Sequence, residues 1–511
     1  MTDIMNRIKH FGVVIGAGLV LAGCIVDIGD TGPRAGGGER HAPPQAGVVQ
    51  QASGDERGGD AAQSPVARAF EQARTNGPAL RRFLEAFPKG GDLHNHLTGA
   101  VYAESWLDWA AEDGLCVNPD GPAIVDAAEE SCADRGWVDA REARLDEDLR
   151  RRLINGLSLR SFKPENGWSG HDQFFVTFSR MLARNDRFGD MLTNVSRRAA
   201  WQNIPYLELM HTLILGELFP LVGGVELTGD PARDYRLLMD SPFGARVDDL
   251  AADISRRLDG AFARRAEQLQ CGGNDPLPGC DVTIRLQHQV IREFSPAMVY
   301  AQIILGWHVM ERDARFVGLN LVAPEDGYIA LRDYTRHMRM IDHLYATRGQ
   351  QNIALHAGEL TLGLVRPRNL RFHIRQAIEI GHARRIGHGI DIAHERDSGD
   401  LLARMVRDGI AVEINLTSND VILGVTGRDH PFGLYRRHGV PLTLSTDDEG
   451  VSRIDLTHEY QRAVETFDLD YQALKRLSRN AIRHSFLDPA DRAALMERLD
   501  SRLNSFEQSF R

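Results

Sequence analysis

From about residue 66 onward, the chain alternates short apolar runs with longer stretches in which apolar residues recur at helical spacing. This alternation predicts βα units around a parallel sheet, because strands covered on both faces are apolar throughout and the covering helices are amphipathic. Eight strands are predicted, at 92–97, 205–210, 282–290, 316–322, 353–356, 385–390, 411–416 and 441–445. Helices are predicted at 69–86, 250–270, 298–315, 328–347, 370–381 and 398–408, with a final helical stretch at 470–511. The pattern therefore predicts an α/β fold, one (β/α)8 TIM barrel with helical insertions, the largest at about 110–200.

The first 65 residues lie outside this pattern and are typical of a targeting segment. Basic Arg7 and Lys9 precede an apolar run at 11–23, and that run, about thirteen residues long, is too short to cross a bilayer. It ends in Leu-Ala-Gly directly before Cys24. These features favour a signal peptide over the alternative, a buried helix with an incidental cysteine. The end of the run resembles the lipobox of bacterial lipoproteins, which implies that Cys24 becomes the lipidated first residue of the mature protein.

Three segments follow from these boundaries. We expect a lipoprotein signal peptide at 1–23, a flexible tether at 24–65 and the barrel domain at 66–511. The tether is rich in Gly, Pro, Ala, Gln and charged residues, so it buries too little apolar surface to offset the entropy of ordering. We therefore expect an exported protein, attached through its N-terminal lipid to the periplasmic or cell-surface side of a bacterial membrane.

The composition limits the class of partner. The 511 residues are 42% hydrophobic and 26% charged, which is typical of a globular protein with a large core. The formal net charge of −11 argues against nucleic acid, since phosphate backbones are bound by clustered Lys and Arg. A small-molecule substrate is favoured.

Four cysteines remain after Cys24: Cys116, Cys132, Cys271 and Cys280. An even number in an exported chain favours disulfides. We expect pairing within each close pair, Cys116 with Cys132 and Cys271 with Cys280, because short loops close at low entropic cost. Zinc-finger use is the alternative, but neither spacing matches a metal knuckle of two to four residues.

Polar side chains follow several predicted strands at their carboxyl ends, the face where a barrel places its active site. They are His94 and His96 on the first strand, His356 at the end of the fifth with Glu359 after it, His388 on the sixth, and Asp447 and Asp448 after the eighth. Side chains alternate along a strand with a period of two residues, so the imidazoles of His94 and His96 lie on the same side of the first strand. Adjacent buried carboxylates need a compensating cation, and a divalent metal would supply it.

Each of these motifs also has a structural interpretation. Paired histidines occur on solvated faces, and Asp448 or Ser445 could cap the following helix. Ser418 and Asn419, after the seventh strand, could contact substrate or close a turn. Polar residues on the second and third strands are expected to line the barrel or form internal ion pairs; they are Glu208, His211, Arg285 and His288. The joint occurrence at four strand ends favours a metal-dependent active site.

The segments that carry this chemistry resemble a known family. They are KGGDLHNHLTGA at 89–100, HAGE at 356–359, RIGHG at 385–389 and STDD at 445–448. In order and spacing they are similar to the signature segments of the adenosine/AMP deaminase family. The resemblance implies one Zn²⁺ per chain held by His94, His96, His356 and Asp447, with a position left for water.

The resemblance also implies roles for the neighbouring residues. Protonated Glu359 would donate to N1 of the purine, His388 would take the proton of the attacking water, and Asp448 would accept a hydrogen bond from that water. Thr98, Gly99 and Ala323 are the expected substrate contacts. Thr98 stands where the family commonly has an aspartate that contacts the ribose 5′-hydroxyl, and Ala323 stands where it has a glycine that meets the purine.

Three functions follow as hypotheses. The leading one is zinc-dependent hydrolytic deamination of adenosine or 2′-deoxyadenosine to inosine or 2′-deoxyinosine plus ammonia. The second is an amidohydrolase or deaminase acting on adenine or on a 5′-modified adenine nucleoside. The third is a lipid-anchored protein that binds nucleosides without turnover, which the complete set of ligands and acid disfavours. In each case the expected partner is a small purine compound.

Overall fold

The structure of the protein is a computed structural model that describes residues 64–165 and 167–511. The predicted signal peptide, Cys24 and nearly all of the predicted tether lie outside the described residues. The first helix begins at Pro65, one residue before the predicted domain boundary. The Ser64 side chain caps it by accepting a hydrogen bond from the Ala67 amide, which satisfies a free N–H of the first turn.

The strands of the described region form one parallel and one antiparallel assembly. In chain order they are β1 (Asp92–His96), β2 (Cys116–Asn118), β3 (Ala123–Val125), β4 (Val138–Asp139), β5 (Tyr206–His211), β6 (Thr283–Ile291), β7 (Phe316–Val322), β8 (Ala354–Ala357), β9 (Arg385–His388), β10 (Ala411–Ile414) and β11 (Leu442–Leu444). Strands β2, β3 and β4 pair antiparallel in the order β3-β2-β4. The other eight are parallel, in the orders β1-β5-β6-β7 and β8-β9-β10-β11.

Backbone hydrogen bonds join these two parallel halves at both edges. Asp447 N donates to His94 O at 2.9 Å and His96 N donates to Asp447 O at 2.8 Å, which links the end of β11 to β1. Leu319 N donates to Asn352 O at 3.2 Å, which links β7 to the start of β8. The eight strands therefore close into the predicted (β/α)8 barrel, and all of their carboxyl ends meet at one face.

Helices cover the barrel and form its insertions. They are α1 (Pro65–Ala73), α2 (Gly77–Ala86), α3 (Leu97–Ala100), α4 (Ala103–Glu112), α5 (Ala140–Ala143), α6 (Glu147–Gly156), α7 (Gly170–Arg180), α8 (Phe188–Trp201), α9 (Leu215–Val222), α10 (Pro231–Met239), α11 (Val247–Gln268), α12 (Pro296–Arg312), α13 (Tyr328–Thr347), α14 (His373–Glu379), α15 (Ser398–Asp408), α16 (Leu416–Leu423), α17 (Phe432–His438), α18 (Glu449–Ser452), α19 (Leu456–Phe467), α20 (Tyr471–Arg483) and α21 (Pro489–Gln508). Single 3₁₀ turns lie at Ala133–Arg135, Asn185–Arg187, Pro367–Leu370, Ile390–His394 and Gly427–Asp429. None of the helices in this part of the chain is long and apolar enough to cross a membrane.

Two predicted helical stretches are each a pair of helices. The stretch 69–86 breaks before α2, where the Asn76 side chain accepts from Ala79 N and Pro78 occupies the first turn. The stretch 470–511 breaks before α21, where Asp488 caps and Pro489 starts the helix. Proline has no backbone N–H, so it cannot donate the hydrogen bond that would continue a preceding helix. It fits the first turn of a new helix, where that N–H would have no partner within the helix.

The insertion before β5 differs in part from the prediction. It contains the predicted helices, but it also contains the small antiparallel sheet β2–β4, which was not predicted because its strands are only two or three residues long. A disulfide joins Cys116 to Cys132 across this sheet, and a second joins Cys271 to Cys280 after α11. The predicted pairing is confirmed, and the zinc-finger alternative is wrong because all four thiols are consumed.

Candidate active site and metal centre

Three imidazoles and one carboxylate meet at the carboxyl end of the barrel. They come from His94 and His96 on β1, His356 on β8 and Asp447 directly after β11, and their ligand atoms lie within 4.8 Å of one another. The Nε2 atoms of His94 and His96 are each 3.3 Å from Asp447 Oδ1. The Nε2 atoms of His96 and His356 are 3.1 Å apart. A tetrahedral zinc with bonds of about 2.0–2.1 Å has ligand–ligand edges of about 3.4 Å, so the cluster has the dimensions of a zinc site.

The outer nitrogen of each imidazole faces an oxygen. The acceptors are Glu413 Oε2 at 2.7 Å from His94 Nδ1, Gln289 Oε1 at 3.0 Å from His96 Nδ1, and Asn320 Oδ1 at 2.9 Å from His356 Nδ1. Because these oxygens only accept, each Nδ1 carries the proton and each Nε2 presents a lone pair to the centre. Lone pairs that face one another at 3.1 Å repel unless a cation lies between them. The donor set therefore fits a divalent metal.

The carboxylate ligand is oriented in the same way. Asp447 Oδ2 accepts from Ser418 Oγ at 2.6 Å, which leaves Oδ1 directed at the imidazoles. Ser418 lies on α16, so the seventh βα unit positions a ligand that belongs to the eighth.

A buried ion-pair network lies beneath His94. Glu413 on β10 joins the imidazole to Arg385 on β9, whose Nε donates to Glu413 Oε1. Arg385 also donates to Glu208 Oε2 at 2.6 Å, and Glu208 in turn accepts from Tyr206 Oη at 2.7 Å. The side chains of Arg385, Glu413 and Glu208 are almost fully buried. Of the polar residues expected to form internal ion pairs, Glu208 does so, whereas Arg285 pairs with Asp491 on the outer side of the barrel.

Glu359 lies next to the centre, on the turn after β8. The carboxylate of buried Glu325 holds this turn by accepting from Glu359 N at 2.7 Å and Gly358 N at 3.1 Å. Burial, and then the negative charge of Asp447, raise the pKa of Glu359 well above its usual range. This shift favours the neutral carboxylic acid form of the side chain, which can donate a proton.

His388 ends β9 and lies against the same centre. The His94 and His388 rings are 4.9 Å apart, centroid to centroid, and His388 Nδ1 is 3.5 Å from Glu359 Oε1. On the other side, Asn419 Nδ2 lies 2.8 Å from His388 Nδ1. His388 Nε2 is buried without a hydrogen-bond partner in the described region.

Asp448 lies directly before α18, and its side chain approaches α3 at Gly99. Its side chain makes no capping hydrogen bond to that helix, so the helix-cap interpretation of this residue is wrong. A Cβ atom added at Gly99 would overlap Asp448 Oδ1, so the absence of a side chain at 99 admits the carboxylate. Thr98 and Gly99 both lie on α3, directly after the two histidines of β1.

Three non-glycine residues of the site adopt left-handed backbone conformations. The φ angles are +84° at Ala323, +67° at His388 and +59° at Asp447. Such conformations cost roughly 1–2 kcal/mol for residues with a Cβ, and they cluster at functional sites. At Ala323 the resemblance expects glycine, which adopts this φ without strain. The Ala323 carbonyl accepts from Arg292 Nε at 3.0 Å, and Arg292 also donates to His356 O, so this turn is tied to a metal ligand.

Sequence reasoning missed the residues that orient the ligands. They are Gln289 on β6, Asn320 on β7 and Glu413 on β10. The available signal was a lone acid or amide inside an otherwise apolar strand, such as Glu413 in Ala-Val-Glu-Ile. Such a residue needs a buried partner.

Comparison with known proteins agrees with this geometry. Residues 263–502, from the end of α11 to α21, match the family model for adenosine deaminase. Over this part of its length, the chain is similar to the adenosine deaminase family. It is 29% identical over 181 residues to the adenosine deaminase of Clostridium perfringens strain 13, covering 35% of this chain and 51% of that protein. It is 36% identical over 127 residues to the adenosine deaminase of Erwinia tasmaniensis, covering 25% and 37%. The chain thus spans about half, or less, of the length of these relatives.

Solved structures show the same fold. An amidohydrolase from Burkholderia ambifaria with bound Zn has a TM-score of 0.55 and 18% identity, with 84% of this chain and 94% of that chain covered. The adenine deaminase of Arthrobacter aurescens has a TM-score of 0.51 and 17% identity, with 82% and 99% covered. The N6-methyl-AMP deaminase of Arabidopsis thaliana has a TM-score of 0.53 and 20% identity, with 82% and 98% covered. The (β/α)8 fold is therefore shared over most of the chain.

Proposed function

We propose that the protein is a zinc-dependent deaminase that hydrolyses the exocyclic amino group of adenosine or 2′-deoxyadenosine, releasing ammonia and inosine or 2′-deoxyinosine. The observation that carries this proposal is the convergence of three imidazole lone pairs and one carboxylate oxygen, with protonated Glu359 beside them. The match of residues 263–502 to the adenosine deaminase family model and the similarity to adenosine deaminases support the same reaction.

His94, His96, His356 and Asp447 would hold the metal. Bound there, zinc supplies a Lewis acid that lowers the pKa of water from about 15.7 to about 7, so that a nucleophile exists at neutral pH. The three Nδ1 hydrogen bonds orient the imidazoles so that each Nε2 faces the centre.

Glu359 supplies the proton that the reaction needs. Attack on the ring carbon that bears the amino group places negative charge on the adjacent ring nitrogen, and the Glu359 carboxylic acid can donate to that nitrogen. Burial and the negative charge of Asp447 favour its protonated form, and Glu325 fixes its backbone through two amide hydrogen bonds. One water is consumed and one ammonia leaves for each product.

Thr98 bears on the choice of substrate. Its hydroxyl is uncharged where the family resemblance expects an aspartate against the 5′-hydroxyl, so a nucleoside with a modified 5′ position is the second candidate substrate. We propose adenosine and 2′-deoxyadenosine first, because the relatives with matched sequence are adenosine deaminases.

The experiment is a substrate panel with the full chain. Adenosine, 2′-deoxyadenosine, a 5′-modified adenosine, AMP and adenine are each incubated with metal-replete protein, and ammonia release and the loss of adenine absorbance are followed. Chelation of the metal should abolish the reaction, and added Zn²⁺ should restore it. Ammonia from none of these substrates, in protein that holds stoichiometric metal, would contradict the proposal and favour a binding protein.

We also propose that the protein is exported and anchored to a bacterial membrane through lipidated Cys24. Two disulfides support an oxidising compartment, because thiols in the cytosol are kept reduced. In a cell fractionation, the Cys24→Ala variant should move from the membrane to the soluble fraction. Equal membrane content in the variant and the wild type would rule out this anchor.

A further inference from the structure

A chain of hydrogen bonds outside the metal ligands fixes the proton on His388. It runs from the Phe432 backbone amide, at the start of α17, through His430 and Asn419 to His388. The role of each group, as donor or acceptor, follows from the role of the group before it. The first group is a backbone N–H, which can only donate.

The direction of the chain is set at Phe432. Its N–H lies 3.1 Å from His430 Nδ1, and a backbone amide can only donate, so His430 Nδ1 carries a lone pair. Burial lowers the pKa of His430 to about 3, so its ring is neutral and its single proton lies on Nε2. That Nε2 is 3.2 Å from Asn419 Oδ1 and donates to it.

The orientation of the Asn419 amide follows. Its oxygen is used by His430, so its NH₂ group faces His388 Nδ1 at 2.8 Å and donates to it. A second amide, Asn415 Nδ2, lies 3.5 Å from the same nitrogen. His388 Nδ1 therefore holds a lone pair that accepts, and the only proton of the neutral ring lies on Nε2.

The buried Nε2–H group of His388 is then available as a hydrogen-bond donor. It has no hydrogen-bond partner among the described residues, and it belongs to a ring in contact with the metal-ligand histidines. A nitrogen that already bears a proton can donate but cannot accept. This differs from the expectation drawn from sequence, in which His388 takes the proton of the attacking water.

We propose that Asn419, oriented by His430, is a positioning residue that holds His388 in the Nε2–H tautomer, so that His388 donates a hydrogen bond to the attacking water. The part that concerns water rests on the proposed function, whereas the tautomer does not. Asp448, whose buried Oδ1 lacks a partner in the described region, is left as the acceptor for that water. A donor and an acceptor would then orient the water from two sides.

The tautomer can be read directly by NMR. The full chain is labelled with ¹⁵N-histidine and loaded with Zn²⁺, and the His388 nitrogens are assigned by their loss in a His388→Gln spectrum. We expect a protonated Nε2 and a bare Nδ1. His288 is an internal reference, because its Nε2 faces the Gln302 carbonyl at 3.1 Å and has to remain protonated.

The Asn419→Asp variant tests the cause. A carboxylate at 419 presents only acceptors to Nδ1, so the proton of His388 should move to Nδ1 while the His288 signals stay in place. Its kcat should fall by about a hundredfold or more with KM nearly unchanged, since substrate contacts are intact. Asn118→Asp is the matched control: its side-chain oxygen accepts from Asp120 N and Gly121 N, which a carboxylate also does, so we expect the wild-type tautomer and rate.

The outcomes separate the two proposals. A wild-type His388 protonated on Nδ1, or a His388 proton that stays on Nε2 in folded Asn419→Asp protein, would overturn the inference. If the tautomer responds as expected but no purine is deaminated, the positioning role of Asn419 stands and the proposed function fails. Unchanged His288 signals show that each variant is folded.

Discussion

Replacing Glu413 with glutamine tests how the buried network supports the metal centre. Glu413 Oε2 accepts from His94 Nδ1 at 2.7 Å and Oε1 accepts from Arg385. Burial alone would raise the pKa of Glu413, but Arg385 and His94 hold it below its usual range, so the side chain is an anion. Glutamine keeps the shape of the side chain but removes its negative charge. It also turns an NH₂ group toward either His94 or Arg385, both of which donate hydrogen bonds to Glu413.

The magnitude follows from the loss of a charged partner behind a metal ligand. Such changes typically cost about 10- to 100-fold in metal affinity, which is about 1.4–2.8 kcal/mol at about 1.4 kcal/mol per tenfold. Folding should also weaken, because Arg385 keeps only Glu208 as a buried anionic partner. The assay is a competition titration of Zn²⁺ against a chromophoric chelator, with a thermal melt of the metal-free protein.

Glu379→Gln is the matched control. Glu379 also pairs with arginines, Arg375 at 2.9 Å and Arg404 at 3.0 Å. It differs from Glu413 because it lies at the surface, at the end of α14, outside the cluster of candidate metal ligands. Surface ion pairs contribute little, so its metal affinity and melting temperature should match the wild type. A folded Glu413→Gln protein that binds Zn²⁺ within about twofold of the wild type would refute the role given to this carboxylate.

Three further predictions concern stability and access to the site. Burial lowers the pKa of His211 to about 4 in the folded chain, so the unfolded chain binds the extra proton between pH about 6.5 and 4. The free energy of unfolding therefore falls as pH falls through this window. In chemical denaturation, the free energy of unfolding of His211→Phe should fall less steeply than that of the wild type, by about 1.4 kcal/mol per pH unit. The same pH slope in both proteins would contradict this. Gly99→Ala should reduce activity sharply, because its methyl group meets a site carboxylate, whereas Gly216→Ala, whose Cβ has open space, should keep wild-type activity; equal rates would disprove the close contact. Reduction of the Cys116–Cys132 disulfide should lower the free energy of unfolding by about 3 kcal/mol, and coincident denaturation curves with and without reductant would show that the loop needs no cross-link.

The sequence predicts the barrel and the clustering of His94, His96, His356 and Asp447 because both depend on local signals. Strand β7 lies at the predicted residues, and the other barrel strands differ by a few residues at their ends. His94 and His96 share a strand, and the turn after β8 carries His356 and Glu359 together. Because the strands are parallel and close into a barrel, all of their carboxyl ends then lie at one face.

The features that the sequence does not reveal depend on contacts between distant parts of the chain. Glu413 reaches His94 across 319 positions, and Glu208 reaches Arg385 across 177. The direction of the Asn419 amide is fixed by the backbone of Phe432, which no pattern of residue types encodes. The left-handed φ of Ala323 is likewise imposed by its surroundings, since alanine by itself disfavours it.

The most direct test of the central claim compares wild-type protein with Glu359→Gln at equal, measured zinc content, with adenosine as substrate and ammonia release as the readout. Glutamine keeps the size of the side chain but cannot donate a carboxylic proton. We expect catalytic ammonia release from the wild type and a loss of about a hundredfold or more in kcat for Glu359→Gln, with zinc content unchanged. Equal turnover by the two proteins would contradict the account of this site as an acid-assisted, metal-dependent deaminase.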